Sequence, residues 1–215
     1  MHRLTLIMTK NYPDLPYVLI GHSMGSYMSR KYASIYGDEL DGVIFLGTGN
    51  QPKAVVDSGL KLAHIAKLVR GERYRSELLN TIMFGAYNKR IKDNRTANDW
   101  LTKDTKIVDE YLSDPKCSYK FTANAYIGFL NVIKYDIDKK NIAKTPDKLP
   151  VLFASGLEDP VGDYGKGVKK AFKMYTKYVD NVELYLYEDD RHELHSETDR
   201  EDIFSDLYEW IEENV

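Results

Sequence analysis

Three short runs of consecutive apolar residues constrain the fold of this chain more than any other feature. They lie at 17–20, 42–46 and 150–154. Each has the length of a strand, and an unbroken apolar run is typical of a strand covered on both faces, as in a parallel sheet. A fourth segment, 182–187, alternates apolar and polar residues, which predicts an edge strand. We therefore expect an α/β fold with a parallel sheet of about four strands, in which the run at 17–20 is central.

Between these runs, and after the last of them, apolar residues recur at the spacing of a helix. This spacing predicts helices at about 27–36 and 166–178, as the crossovers of a parallel sheet require. The C-terminal segment predicts an amphipathic helix that covers one face of the sheet. Its expected apolar stripe consists of Ile203, Phe204, Leu207 and Ile211.

The stretch from 51 to 148 has a different character. It is polar, rich in Lys and Tyr, and helical in its spacing, and it contains no convincing strand pattern. We interpret residues 1–50 and 149–215 as the core of the fold and residues 51–148 as a helical insertion. With 215 residues and 43% apolar content, the chain can bury a core of its own.

Charge and cysteine content exclude several classes of protein. The formal net charge is −3, and the 30 basic and 33 acidic residues are mixed along the chain. No cluster of basic residues is available to bind a phosphate backbone, so we expect no nucleic-acid partner.

The single cysteine, Cys117, cannot form an internal disulfide, which fits a reducing compartment. No apolar run approaches the roughly 20 residues of a membrane span, and the N-terminus lacks the apolar region of a signal peptide. We expect a cytoplasmic protein without stable membrane insertion.

A glycine-flanked serine follows the first apolar run directly. The sequence Gly21-His22-Ser23-Met24-Gly25 fits the pattern G-x-S-x-G between a strand and a helix, which places the serine on a strained turn with its hydroxyl exposed. A Cβ at Gly21 or Gly25 is expected to clash with the neighbouring strand or helix. The backbone N–H of Met24 is expected to face the oxyanion that forms when Ser23 attacks a carbonyl. The motif therefore predicts that Ser23 is a nucleophile.

A serine hydroxyl is a weak nucleophile, so this interpretation requires a histidine base and an orienting carboxylate. Asp159 follows the third apolar run, and His192 follows the fourth strand segment. Both are expected in loops at the carboxyl ends of strands. Along the chain the three residues come in the order Ser, Asp, His, which is the order expected when the serine lies on a G-x-S-x-G turn between a strand and a helix.

Other residues compete for these roles. Glu158 and Asp163 are alternatives to Asp159, and His195 is an alternative to His192, although it is expected to begin a helix or face solvent. Glu197 is expected either to brace the histidine loop or to be a solvated carboxylate at a helix start. No group of His, Cys and carboxylates has metal-ligand spacing, so we expect no metal and no other cofactor.

Three segments together resemble a known family. They are similar to the nucleophile, acid and histidine segments of the monoacylglycerol lipase and lysophospholipase-like α/β-hydrolases, which include serine aminopeptidase-like hydrolases. These segments read G-H-S-M-G at 21–25, G-L-E-D-P-V-G at 156–162 and R-H-E-L-H-S-E at 191–197. The stretches W-L-T-K-D at 100–104 and D-E-Y-L-S-D-P-K-C at 109–117 are similar to the cap segment of bacterial members.

The resemblance implies an α/β-hydrolase fold with residues 51–148 as its cap. It also implies that Ser23 is the nucleophile, Asp159 the acid and His192 the base. Family members carry further strands before the serine turn, including an H-G loop that supplies a second oxyanion donor, and nothing in this chain matches that loop. We therefore expect a truncated chain that holds the C-terminal half of the fold, with an unpaired strand at 17–20. Such an edge favours pairing with another chain, so we expect a homo-oligomer.

The expected function is hydrolysis of a carboxylic ester through an acyl-enzyme. The substrate class comes from the resemblance alone, as a medium-chain ester, a monoacylglycerol or a lysophospholipid. Two alternatives stay open. One is a truncated, catalytically impaired hydrolase that serves as an assembly module. The other is a peptidase-like enzyme or an acyltransferase that uses the same three residues.

Overall fold

The computed structural model describes residues 1–92, 94–117 and 119–215. Asp93 and Ser118, which fall within the predicted insertion, lie outside the described residues. The strands are β1 (Val18–His22), β2 (Gly42–Leu46), β3 (Val151–Gly156) and β4 (Val182–Tyr187). The helices are α1 (His2–Asn11), α2 (Met24–Tyr36), α3 (Lys53–Arg70), α4 (Glu77–Phe84), α5 (Thr105–Ser113), α6 (Ala123–Asp136), α7 (Lys139–Ile142), α8 (Lys166–Tyr175) and α9 (Arg200–Asn214). Short 3-10 turns occupy Gly37–Glu39, Tyr87–Arg90 and Leu194–Ser196.

The strands form one parallel sheet in the order β1-β2-β3-β4. Its register pairs Ile20 with Ile44 and Ile44 with Leu152. Every residue of β2 and β3 is buried, as their unbroken apolar sequences predict. Because all the strands run in one direction, their carboxyl ends lie along one edge of the sheet, and helices make the crossovers. The predicted α/β fold with a parallel sheet of about four strands is confirmed.

Helices cover both faces of the sheet. On one face, α2 and α8 pack against the rings of Phe45 and Phe153. On the other face, α9 buries Trp210, whose indole N–H donates to Glu183 Oε1 at 2.8 Å. Each face of the sheet thus has one apolar cluster between the strands and the helices. Burying one large apolar side chain contributes about 1.5–3 kcal/mol, so these two clusters hold the helices against the sheet.

Two expectations about exposure are wrong. The apolar pattern at 17–20 predicts a central strand, but among the described residues β1 pairs only with β2, and Ile20 is 50% exposed. β1 is therefore an edge strand, which agrees with the other expectation, that the strand at 17–20 is unpaired. An apolar run is typical of a strand buried within a sheet, but the run by itself does not determine whether a second strand pairs with it. On α9, Phe204 is exposed, and the buried face is formed by Ile203, Leu207 and Trp210, which follow the helical spacing of four and three residues. The prediction for β4 agrees with the structure. This strand lies at the other edge of the described sheet, and it is half-buried along its whole length.

The described part of the stretch from 51 to 148 contains helices and no strand. The starts of α4, α5 and α6 follow Ser76, Asp104 and Thr122, and each of these side chains accepts a hydrogen bond from a backbone N–H in the first turn. Such caps stabilise a helix by roughly 1 kcal/mol each. Among the described residues, every helix is too short or too polar to traverse a lipid bilayer.

We propose that residues 51–148 are an insertion on a core formed by residues 1–50 and 149–215. One apolar cluster, with Ala63, Leu79 and Tyr126, lies wholly within the insertion. A second cluster joins α3 to α6 and also includes Tyr27 and Val161 of the core.

A buried arginine connects this insertion to the core. Arg30 of α2 is 1% exposed, and its guanidinium donates to the backbone oxygens of Gly49 at 2.8 Å and Asp136 at 3.0 Å. The first acceptor follows β2, and the second ends α6. Since a buried charge is costly unless it is hydrogen-bonded, these contacts restrain α6 against the core.

We propose that two copies of the chain associate through the outer edge of β1. No described residue pairs with that edge, and an unpaired apolar strand edge favours pairing with another chain. The Ile20→Lys variant should shift the protein from an oligomer to a monomer in size-exclusion chromatography with light scattering. Ile65→Lys, which changes an exposed isoleucine on α3, is the control and should leave the oligomer intact. A wild-type protein that elutes as a clean monomer would contradict this proposal.

Candidate active site

Ser23 occupies a strained turn between β1 and α2. Its backbone angles are φ 54° and ψ −121°, in a region that residues other than glycine rarely adopt. Its N–H donates to the carbonyl of Leu46 at 3.0 Å, which extends the pairing with β2 by one residue. Strain of this kind costs on the order of 1–3 kcal/mol and persists where the surroundings enforce it. The turn geometry agrees with the one that the sequence predicts.

The two glycines of this turn differ in how tightly they are packed. A Cβ added at Gly21 would collide with Ser29 Oγ and would lie 2.6 Å from the carbonyl oxygen of Gly25. A Cβ added at Gly25 would meet nothing within 4 Å among the described residues. The expected steric need for glycine therefore holds at Gly21 and is wrong at Gly25.

Ser23, His192 and Asp159 form one continuous chain of contacts. Ser23 Oγ lies 2.8 Å from His192 Nε2, and His192 Nδ1 lies 3.0 Å from Asp159 Oδ1. A carboxylate only accepts hydrogen bonds, so the proton of the neutral ring sits on Nδ1. His192 Nε2 is then left to accept the hydroxyl proton of Ser23.

Asp159 is held in place by buried hydrogen bonds. It is fully buried, and its carboxylate also accepts hydrogen bonds from Val161 N–H at 2.8 Å and Ser155 Oγ at 3.4 Å. The alternative acids lie elsewhere. Glu158 is about half exposed and lies 3.6 Å from Arg191, and Asp163 is exposed. Only Asp159 among these three acids contacts the histidine.

Two further histidines lie near His192. His195 is exposed in the turn after His192, in agreement with the expectation that it faces solvent. His22 Nε2 lies 3.1 Å from the carbonyl oxygen of His192. Burial, reinforced by the nearby His192 and His195, lowers the pKa of His22 to about 3. At neutral pH His22 is therefore uncharged, and its Nε2–H donates to that carbonyl.

Gly47, which belongs to none of the three sequence motifs, makes room for the ring of His192. It follows β2 with a φ of +57°, and a Cβ there would lie 3.0 Å from the ring of His192. A larger residue would push the imidazole away from its position. The only signal in the sequence is a glycine directly after a buried strand.

Two cavities meet at Ser23. The first, which we call the apolar cavity, has a volume of about 770 Å³ and extends beneath the insertion. The second, the polar cavity, has a volume of about 640 Å³ and lies on the His192 side. Both are bordered by Ser23, Phe84, Trp100 and Phe121. The apolar cavity is further lined by residues that include Val55, Leu62, Met83, Tyr87, Phe129 and Ile133. The polar cavity is further lined by residues that include Asn80, Asn88, Asn98, Lys116, Lys120 and Glu193.

No metal site is evident at this centre. Among residues 1–92, 94–117 and 119–215, no three or more His, Cys, Asp or Glu side chains are grouped so as to hold a metal ion. The three contacting residues are instead arranged for proton transfer from a hydroxyl to an imidazole.

The chain matches a known protein family over most of its length. The family is described as "Serine aminopeptidase, S33", and the match covers residues 1–199. No curated protein sequence matches the chain significantly.

Several solved structures have the same fold. A thermostable carboxyl esterase from Bacillus coagulans, in complex with glycerol, superposes with a TM-score of 0.91 and 28% identity, covering 99% of this chain and 69% of the esterase. A lipase in its open form gives a TM-score of 0.82 and 29% identity, covering 94% of this chain and 66% of the lipase. A monoglyceride lipase from Saccharomyces cerevisiae gives a TM-score of 0.72 and 22% identity, covering 100% of this chain and 69% of the lipase. At this identity the likeness shows the fold alone. The chain thus spans about two thirds of the length of these proteins.

The difference between the two glycines predicts opposite effects on stability. Gly21→Ala should lower the free energy of unfolding by about 1–3 kcal/mol, because its methyl group overpacks the turn. Gly25→Ala is the matched control. It should be neutral or stabilising by up to about 1 kcal/mol, since it lies in the first turn of α2 and alanine favours helix. Urea unfolding followed by circular dichroism measures both, and equal losses in the two variants would contradict the difference in packing at the two glycines.

Proposed function

The chain belongs to the serine aminopeptidase S33 family and has the α/β-hydrolase fold, and from this premise we propose that it hydrolyses carboxylic esters with Ser23 as the nucleophile. The observation that carries the proposal is the contact chain from Ser23 Oγ through His192 to the buried carboxylate of Asp159. It supplies an activated hydroxyl, a base and a group that orients the base.

In the proposed first half-reaction, Ser23 Oγ attacks the ester carbonyl carbon while His192 Nε2 takes the hydroxyl proton. The imidazolium that forms is stabilised by Asp159, which stays ionised. The negative charge that develops on the carbonyl oxygen faces the N–H of Met24, at the N-terminus of α2. When the intermediate collapses, His192 returns the proton to the leaving alcohol, and the acyl group remains on Ser23.

Water completes the cycle in the second half-reaction. His192 removes a proton from the water molecule that attacks the acyl-enzyme carbonyl, and it then returns a proton to Ser23 Oγ. The carboxylic acid is released, and the serine and histidine are restored. An oxyanion donor of this kind contributes on the order of 10²–10³ in turnover.

The two cavities support a substrate that is apolar at one end and polar at the other. We propose that the acyl chain occupies the apolar cavity and that the alcohol part lies in the polar cavity, on the side of His192 that must protonate it. A medium-chain ester is our first choice, followed by a monoacylglycerol and a lysophospholipid. The likeness to a carboxyl esterase that was solved with glycerol supports an ester substrate.

An aminopeptidase reaction is less well supported, despite the name of the family. A free peptide N-terminus is cationic and needs acidic partners. The described lining of the polar cavity contains two lysines, Lys116 and Lys120, of which Lys120 is paired with Glu77, and one acid, Glu193. This lining has no excess of negative charge that would stabilise an ammonium group.

The proposal is tested with p-nitrophenyl esters of two, four, eight and sixteen carbons. The purified protein should hydrolyse the four- and eight-carbon esters fastest, and Ser23→Ala should lose roughly 10³-fold or more of this activity. Ser205→Ala, which changes an exposed serine on α9, is the control and should keep full activity. Aminoacyl p-nitroanilides should not be cleaved.

Two results would contradict the proposal. Background rates in the wild-type protein would favour a non-catalytic assembly module. Faster cleavage of aminoacyl anilides than of any ester would favour a peptidase. Added glycerol or methanol as an acceptor separates hydrolysis from acyl transfer, because an acyltransferase would form a new ester as its main product.

A further inference from the structure

The segment 99–103 of the insertion lies directly against the loop that carries His192. Glu193 N–H donates to the carbonyl of Leu101 at 2.7 Å, and the Arg191 guanidinium donates to the carbonyl of Asp99 at 2.7 Å. The ring centroid of Trp100 lies 5.0 Å from that of His192. The residues on either side of the base are thus hydrogen-bonded to the insertion.

Glu197 lies at the centre of this contact. It is 0% exposed, and both of its carboxylate oxygens accept backbone hydrogen bonds. Oε1 accepts from the N–H of Arg191 at 2.8 Å, and Oε2 accepts from the N–H of Lys103 at 3.0 Å. Oε2 also lies 3.1 Å from the hydroxyl of Thr102. One side chain therefore ties the residue before the base to the inserted segment.

An ion pair with a buried carboxylate reinforces the same contact. Lys103 Nζ lies 2.6 Å from a carboxylate oxygen of Asp190, whose side chain is 2% exposed. Asp190 precedes Arg191 in the histidine loop. Opposite charges attract more strongly where water is largely excluded, so this ion pair also holds the 99–103 segment against the 190–197 loop.

We propose that Glu197 is a positioning residue that sets the location of His192 by holding the histidine loop against residues 102–103 of the insertion. The inference rests on the proposed function, because it assigns Glu197 to the reaction that Ser23 and His192 carry out. Its consequence is that the insertion is part of what aligns the base, in addition to covering the apolar cavity. A displacement of about 1 Å in a catalytic group can lower the rate 10²-fold.

The sharpest variant is Glu197→Gln, which replaces one oxygen by an amide nitrogen of similar size. A carboxamide has only one acceptor oxygen, so either the Arg191 N–H or the Lys103 N–H loses its partner. Thr102→Val is the second variant. It removes the hydroxyl, which also donates to the carbonyl of Ser196 at 2.8 Å and accepts from the N–H of Asp104 at 3.1 Å, but it leaves both backbone hydrogen bonds to Glu197. Glu201→Gln, with a side chain 87% exposed in the first turn of α9, is the matched control for the change of charge.

Two readouts are measured on each variant, below the melting temperature of that variant. The first is kcat and KM for p-nitrophenyl butyrate. The second is the low-field proton resonance of His192 Nδ1–H, assigned by its loss in His192→Gln. Glu197→Gln should lower kcat about 10- to 100-fold with KM changed less than about threefold, and it should broaden or remove the low-field resonance. Thr102→Val should show a smaller loss of kcat, and Glu201→Gln should resemble the wild type.

A folded Glu197→Gln protein that keeps both the kcat and the low-field resonance of the wild type would overturn the proposal, even if its melting temperature were lower. That result would make Glu197 a residue for stability alone. If the wild-type protein has no turnover that depends on Ser23, the proposed function fails, and the resonance of His192 by itself decides the role of Glu197.

Discussion

The parallel pairing of β1, β2, β3 and β4 is the constraint on which the site depends. Parallel strands place all their carboxyl ends at one edge of the sheet, so the turns that follow β1, β3 and β4 meet there although they are far apart in sequence. Ser23, Asp159 and His192 each lie in one of these turns. Helices on both faces bury β2 and β3 and keep the edge fixed, and the strained backbone of Ser23 is enforced by its hydrogen bond to the end of β2.

The residues of the contact chain could be predicted because local patterns specify them. Ser23 lies in a glycine-flanked turn after an apolar run, and Asp159 and His192 follow strand patterns, so each position is readable from a few neighbours. The exposure of Phe204 could not be predicted in this way, because it depends on which elements pack against it. The apolar pattern at 17–20 likewise does not indicate that β1 is an edge strand, an expectation that came from the family resemblance alone. The space at Gly25 and the close approach of His192 to Gly47 are likewise set by tertiary contacts. Glu197 could be suspected, but its bonds to Lys103 join residues 94 positions apart, and no local pattern encodes them.

The insertion has two relations to the chemistry that we propose. Its residues form most of the lining of the apolar cavity, where an acyl chain would be held away from water. Its 99–103 segment also contacts the histidine loop through Glu197 and the Lys103–Asp190 ion pair. Arg30 restrains α6 of the insertion against the core. The proposed binding of the acyl chain and the proposed alignment of His192 therefore involve the same part of the chain.

The most direct test of Ser23 as an activated nucleophile is the reaction of the purified protein with a fluorophosphonate, followed by intact mass and peptide mass spectrometry. The reagent is attacked only by an activated hydroxyl, which displaces fluoride and keeps the phosphonyl group. Activation of Ser23 by His192 predicts a single adduct per chain, located on Ser23, absent in Ser23→Ala and formed far more slowly in His192→Gln. An unlabelled wild-type protein, or labelling that persists in Ser23→Ala, would contradict it.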